Sequence, residues 1–432
     1  MKRLLCIAAF TAAVFAGCRS YEPKPVDWES EALSGVTNEV RIASLDDAAT
    51  LALIGNRKLN AMRLKAANSS KAAKESGWWE DPEFDMDLMR IIDPSSHPFL
   101  GGGSVAFTIP LSGAPSIAAK AEELYAAADA ADIRAAELDV TVDARLAAIR
   151  LAALRRRAAM LEEHDRDDRI VRARANVEKL HDAGEVSASE LAGMRRQKHV
   201  RHHALMETER EIAEAEIAFL RLLGLRPGAK ILLDPTVGSR VPRDRGGAGR
   251  AALPMHQLST LNSQLSTLNS QLITHPKVAA ALARLHGTEE SLRAEIRRQY
   301  PDLKLGPAYA NEEGLDRLGI VAGISIPLWN RNRKGIAEAE GKRDETRLAA
   351  IDVWRDLVCD AAAAHAHLTN LLAHPPVPPS ERVQADRLAD AGELTPLDYL
   401  AVREQIFDMK LDEADWKRDV ALATAELTRY IR

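Results

Sequence analysis

Three short motifs occur twice in this chain, in the same order. Pro82-Glu83-Phe84 returns as Pro301-Asp302-Leu303, Thr108-Ile109-Pro110-Leu111 as Ser325-Ile326-Pro327-Leu328, and Ala183-Gly184-Glu185-Val186 as Ala391-Gly392-Glu393-Leu394. The offsets are 219, 217 and 208 residues. A unit of roughly 200 residues is duplicated, which constrains the fold before any local signal is read.

Each copy reads as a strand hairpin followed by a very long helical hairpin. In the first, residues 45–76 are helical, with Ser44 and Asp47 as an N-cap signal. After Pro82, Phe84, Met86 and Leu88 alternate with Asp85 and Asp87, and Val105, Phe107, Ile109 and Leu111 alternate with Ala106 and Thr108. This period of two marks half-buried strands, and the hairpin 82–111 has strands of about ten residues, the length a membrane strand requires. Asp93-Pro94-Ser95-Ser96 reads as its turn. From Pro115 to His181 no proline or glycine interrupts a run rich in Ala, Glu, Arg and Leu. One helix of that length would extend about 100 Å, longer than any globular core. Gly184 breaks it, Ser187 or Ser189 caps the next helix, and Leu222-Leu223-Gly224 ends it, so 112–223 is one helical hairpin.

The second copy repeats the plan, with Pro276 near a helix start, a strand hairpin at 301–328 turning at Asn311–Gly314, and a helical hairpin at 332–430 turning at Gly392. Pro396 suits the first turn of the last helix, where its missing N–H is not needed. Two proline pairs in His374-Pro375-Pro376-Val377-Pro378-Pro379 must interrupt the preceding helix, and the first copy shows no counterpart in sequence. Between the copies, residues 227–274 form a linker in which Gln257–Ser263 recurs identically as Gln264–Ser270. Its leucines have heptad spacing. The identity of the copies, Ser and Thr included, exceeds what packing demands and favours a low-complexity expansion.

Lys2, Arg3 and the apolar run Leu4–Phe15 read as a secretory signal, too short to cross a bilayer, covering residues 1–17. Small residues before Cys18 resemble a bacterial lipobox, which makes Cys18 the lipid attachment site and 18–42 a tether. With Cys6 removed and Cys18 lipidated, Cys359 stands alone, so no disulfide framework or cysteine metal cluster is available. A net charge of −5 with interspersed signs offers no nucleic-acid surface. No later segment is a transmembrane helix, so a membrane-crossing mature chain must do so as a β-barrel. Four strands cannot close one. Three chains would supply twelve strands and a continuous helical wall.

These motifs, with Asn60-Ala61 and His275-Pro276 as helix starts and Glu190-Leu191 and Asp398-Tyr399-Leu400 beyond the turns, resemble the bacterial outer-membrane efflux channel family typified by TolC, in its lipoprotein form. The resemblance covers residues 43–430 and departs at the 257–272 expansion and the prolines. It implies a mixed α/β membrane protein: a trimeric 12-stranded outer-membrane β-barrel continued by a long periplasmic α-helical barrel, each chain an internal duplication (43–226 and 275–432). It implies an exit duct for small molecules or metal cations, with no cofactor and no catalysis. The partners implied are a periplasmic adaptor and an inner-membrane pump of the proton-driven resistance-nodulation-division class. The turns would be adaptor-docking tips, presenting Gly184, Val186, Gly392, Leu394 and Leu397. Asp386 and Asp390, four apart near the second tip, would form an acidic ring where three chains meet, favouring cations.

His199, His202 and His203 have spacings compatible with a metal, but a polar helix face explains them as well. A periplasmic lipid-anchored coiled-coil adaptor is the competing reading. It accounts for the anchor and the helical hairpins, not for two strand hairpins at the base of long helices.

Overall fold

The computed structural model describes residues 21–27, 39–90, 99–237, 272–312, 315–324, 329–377, 386–389 and 391–430. The elements run β1 (Glu39–Ile42), α1 (Leu45–Gly55), α2 (Arg57–Lys74), β2 (Glu83–Arg90), β3 (Phe99–Pro110), α3 (Ala114–Arg166), α4 (Asp168–Asp182), α5 (Ala188–Leu222) and β4 (Lys230–Leu233). They continue with α6 (Pro276–Arg297), β5 (Asp302–Glu312), β6 (Leu315–Ile324), α7 (Arg333–Ala373) and α8 (Pro396–Leu427).

The long helices begin where the sequence places caps. Ser44 and Asp47 close a reciprocal capping box at α1, Ser187 and Glu190 another at α5, and Thr395 accepts the Asp398 N–H with Pro396 in the first turn of α8. Two helices read as continuous are divided. The 45–76 helix breaks at Asn56, whose side chain caps Leu59 N–H, so the first copy's counterpart of His275-Pro276 is Asn56-Arg57 rather than Asn60-Ala61. The 115–181 helix breaks at Asp167, which adopts φ −62°, ψ 115° and caps Arg169 N–H. At Asp167 a short polar side chain competes for the backbone without any glycine or proline, whereas at Asn56 it does so directly after Gly55.

The four longer strands form one antiparallel sheet, ordered β2-β3-β5-β6. The two copies' hairpins meet directly, from Pro110 opposite Asp302 to Gly101 opposite Asn311. The proposed turn at 93–96 and the motif 325–328 lie outside the described residues.

A second, two-stranded parallel sheet pairs β1 with β4, register Glu39–Lys230 to Ile42–Leu233. The ends assigned to the tether and the linker are therefore strands. Val40, Ile42 and Ile231 pack with Ala48, Ala52, Ala144, Leu151, Phe219 and Leu223 in the largest core cluster, a collar midway along α3. Above it α3 pairs most extensively with α6, through buried Ala121, Ala128, Ala131 and Ala135 that let the backbones approach closely.

Candidate functional site

Two regions carry the geometry that matters, the sheet at one end of the helices and the turns at the other.

Directly opposed residues in an antiparallel ladder share a face. Phe84 opposes Val105, Phe107 opposes Leu305, and Leu303 and Tyr309 oppose Ile324 and Leu318. One face is therefore apolar across all four strands. It is exposed: Met86 at 72%, Leu88 at 73%, Leu318 at 86% and Ile320 at 78%. The other face carries Glu83, Asp85 and Asp87, with Ser104, Thr108, Lys304 and Arg317 on the neighbouring strands. Lys304 Nζ bonds Glu83 Oε2 at 2.6 Å across the intervening strand. Both edge strands, β2 and β6, leave one side unpaired. At Pro307 the β3–β5 ladder loses a donor, and Gly306 fits only because it has no Cβ, which would lie 1.7 Å from Val105 O. No helix among the described residues is long and apolar enough to cross a membrane.

At the far end the two turns share one chemistry. Gly184 has φ +82° and Gly392 φ +74°. Glu185 N–H reaches Leu180 O at 2.8 Å and Gly184 N–H reaches His181 O at 2.9 Å; Glu393 to Leu388 and Gly392 to Ala389 repeat the pattern at 2.9 and 3.1 Å. This paired closure satisfies the last carbonyls of each descending helix and requires a left-handed residue. Nothing lies within 4 Å of a Cβ built at either glycine, so both turns face open space.

The apolar residues assigned to the tips sit differently from expectation. Val186 is not exposed: it is buried with Ile170, Val177, Leu191, Met194, Tyr399 and Leu400, and Leu394 and Leu397 are half-buried against the same cluster. Val186 thus folds back from its turn into a cluster shared by both helical hairpins. The residues exposed at the tips include Glu185, Ser187, Glu393 and Thr395.

Asp386 is half-buried and engaged. It accepts from Tyr399 OH at 3.0 Å and from Arg403 at 2.8 Å, and the second arm of Arg403 holds Asp167. Arg403 is itself buried. Burial opposes ionisation of Asp167, but the Arg169 N–H bond and the Arg403 charge outweigh it and hold its carboxyl below the usual range. Asp390 and Cys18 lie outside the described residues.

Next to Arg403 on α8, Glu404 is buried and accepts from His164 Nε2 at 3.1 Å and Arg201 Nε at 2.9 Å, with Arg174 at 3.6 Å. His164 stacks on Phe407 with centroids 4.0 Å apart. Burial would raise the Glu404 pKa, yet the bonds from His164 and Arg201 bring it down to about 2. Four helices, α3, α4, α5 and α8, are thereby tied to one carboxylate. The sequence reading missed this cluster because its members are 240 residues apart. His199, His202 and His203 are exposed on α5, and no group of three metal-ligating side chains comes together among the described residues.

No family model and no curated protein matches the sequence. Solved structures do match its shape. A membrane protein from Pseudomonas aeruginosa superposes with TM-score 0.68 at 17% identity, covering 96% of this chain and 100% of that one. CusC, whose structures are described in terms of folding and transmembrane channel formation, gives 0.67 at 16% identity over 95% and 98%. The Campylobacter jejuni outer-membrane channel CmeC gives 0.66 at 15% identity over 96% and 90%. The chain has the fold of these outer-membrane channels. The match covers nearly the whole chain, so the resemblance first read in scattered motifs holds for the fold of the single chain.

Proposed function

We propose that this chain is one third of a trimeric outer-membrane exit duct. The observation that carries the reading is the sheet: four strands, apolar and exposed on one face, polar on the other, with both edges open, leading straight into helices. Open edges and unpaired backbone groups are prohibitive in hydrocarbon, so such a sheet crosses a bilayer only as part of a closed barrel. Three copies supply twelve strands, placing Phe84, Met86, Leu88 and Ile320 against lipid and Asp85, Asp87 and Lys304 against the lumen. The long helices then form a periplasmic wall. The duct conducts passively. The solved channels of this fold support a role in efflux, and the partners of such a duct are a periplasmic adaptor at the tips and an inner-membrane pump, assigned here to the proton-driven resistance-nodulation-division class. Small molecules or metal cations are the cargo.

The tips at Gly184 and Gly392 offer the adaptor two solvent-facing turns, with Val186, Leu394 and Leu397 supporting them from beneath. Lipidation of Cys18 after removal of residues 1–17 fits the reach of the chain. The collar lies some 34 residues along α3 from the sheet, about 50 Å at helical rise. The roughly 20 residues from Cys18 to β1 span up to about 70 Å when extended. An acidic constriction at Asp386 and Asp390 belongs to the same proposal. Arg403 holds the Asp386 charge in this structure, so its release would expose that charge to the lumen. Unchanged cation preference and conductance in an Asp386→Ala, Asp390→Ala double variant would remove this element.

Membrane fractionation, heat-dependent migration and planar-bilayer recording of the full chain test the main reading. The expected result is a heat-modifiable trimer in the outer membrane that forms conducting pores. A monomeric, peripheral inner-membrane protein without pores would overturn it and return the adaptor alternative.

A further inference from the structure

One joint is built twice in this chain, from different residues. Asn56 starts α2 in the first copy, and His275 starts α6 in the second, 219 residues on, the same offset as Pro82 to Pro301. Both hold extended backbone, at φ −65°, ψ 110° and φ −63°, ψ 138°. Each side chain makes two bonds of the same kind. Asn56 Oδ1 accepts the Leu59 N–H at 2.9 Å, and its Nδ2 donates to Leu222 O at the end of α5 at 3.2 Å. His275 Nδ1 accepts the Lys277 N–H at 3.2 Å, and its Nε2–H donates to Arg429 O, just beyond α8, at 3.2 Å. In each copy one side chain caps the helix that leads to the sheet and holds the end of the helix that rises from the tip.

The two side chains differ in what a proton does to them. The Asn56 amide keeps its donor and its acceptor as the pH falls. The His275 bonds require the neutral ring with its proton on Nε2. A second proton would stand on Nδ1 and face the Lys277 N–H, donor against donor. His275 is buried, beside Leu272, Val278, Leu357 and Ala361, so little solvent is at hand to replace the lost bond.

Charges face this joint from every helix packed on it. Arg429 of α8 bonds Asp139 and Asp143 of α3 at 2.7 Å each and Glu426 of its own helix at 2.9 Å. Lys277 of α6 bonds Asp139 at 3.1 Å, and Asp360 of α7 acts on Tyr430 beside it. Four carboxylates stand against two cations, a balance that favours an imidazolium, while burial and the Lys277 N–H oppose it.

We propose that the second joint is an acid-sensitive latch and the first is not: protonation of His275 uncaps α6 and loosens it from the end of α8, while Asn56 holds. Arg429 keeps α8 on α3 through its carboxylates, so the change stays at the start of α6. The chain answers acidification in one of its two copies only. The latch belongs to the single chain and is independent of the channel reading.

Hydrogen–deuterium exchange of the full chain, read by mass spectrometry at about pH 7.5 and about pH 5.5 and corrected for the intrinsic pH dependence of amide exchange, tests it. This range brackets an ordinary imidazole and stays above ordinary carboxylates. On acidification the amides at the start of α6 should lose about fivefold in protection, the size of one helix cap, and those at the start of α2 should not change. His275→Asn, which installs the first copy's residue, should abolish the acid loss, and Asn56→His should create one at α2. Equal acid loss at both joints of the wild type, or none at either, overturns the latch, and that comparison needs no variant. An acid loss at α6 that persists in His275→Asn belongs to another group and overturns it as well.

Discussion

At the scale of single residues, the buried carboxylate Glu404 makes the lower wall acid-sensitive. Its pKa is about 2 in the folded chain against an ordinary 4.5, so the unfolded chain binds its proton first as pH falls. The stabilisation is complete above about pH 4.5 and is lost between there and pH 2, an effect of about 3 kcal/mol. Asp167, also lowered, acts with the same sign. Denaturation of wild type and Glu404→Gln across pH 7 to 2 checks this. The variant should be less stable at pH 7 and show a shallower loss on acidification; parallel curves would contradict it. The tip glycines allow a second prediction. Gly392→Ala should cost about 1–2 kcal/mol, since an L-residue is strained at φ +74°. Gly392→Asn should recover much of that loss, because asparagine tolerates the left-handed region. If Gly392→Asn restores thermal stability but not efflux in cells, the tip does more than cap a helix.

At the scale of elements, the strands were legible because alternation survives in a single sequence. Phe84, Met86 and Leu88 stand on the face that their spacing announced. The proposed lipid-facing side of the sheet predicts that Leu88→Arg lowers the yield of heat-modifiable trimer, by the equivalent of about 2–4 kcal/mol at mid-bilayer depth. Asp87→Arg on the opposite face should leave assembly intact. Trimer bands on semi-native gels read both. The helices were legible in extent but not in continuity. Prolines announced the stop at Ala373, whereas Asp167 looks like any other charged residue in a helical run; only its bond to Arg403 and its cap on Arg169 distinguish it. The collar strands were missed because four residues carry too little periodicity to register, and their partners lie 191 positions apart at Glu39 and Lys230. Val186 was misplaced for a related reason: apolar character near a turn does not tell which way the side chain folds.

At the scale of the whole molecule, the chain is a segment of wall and not a self-sufficient globule. Its sheet has two raw edges, and much of α7 is exposed, Leu348 and Ile351 included. On the proposed trimeric reading, closure comes from copies. Dilution of the proposed trimer in mild detergent should therefore not yield a folded monomer, and loss of the assembly by analytical ultracentrifugation should coincide with loss of helical circular dichroism. Stable, fully helical monomers would argue against an obligate assembly.

The seam between β3 and β5 has a consequence of its own. The two copies are stitched to each other by a backbone ladder and by α3 lying along α6, none of which depends on the peptide bonds that join them between Val237 and Leu272. The expectation is that this covalent joint is dispensable for pairing of the copies. Two separately translated fragments, cut within residues 243–250, should find one another and build the same fold, as six half-length pieces in place of three chains if the proposed trimer forms. The sequence between the copies carries the repeated Gln257–Ser270 stretch, and neither the ladder nor the helix pair is built from it.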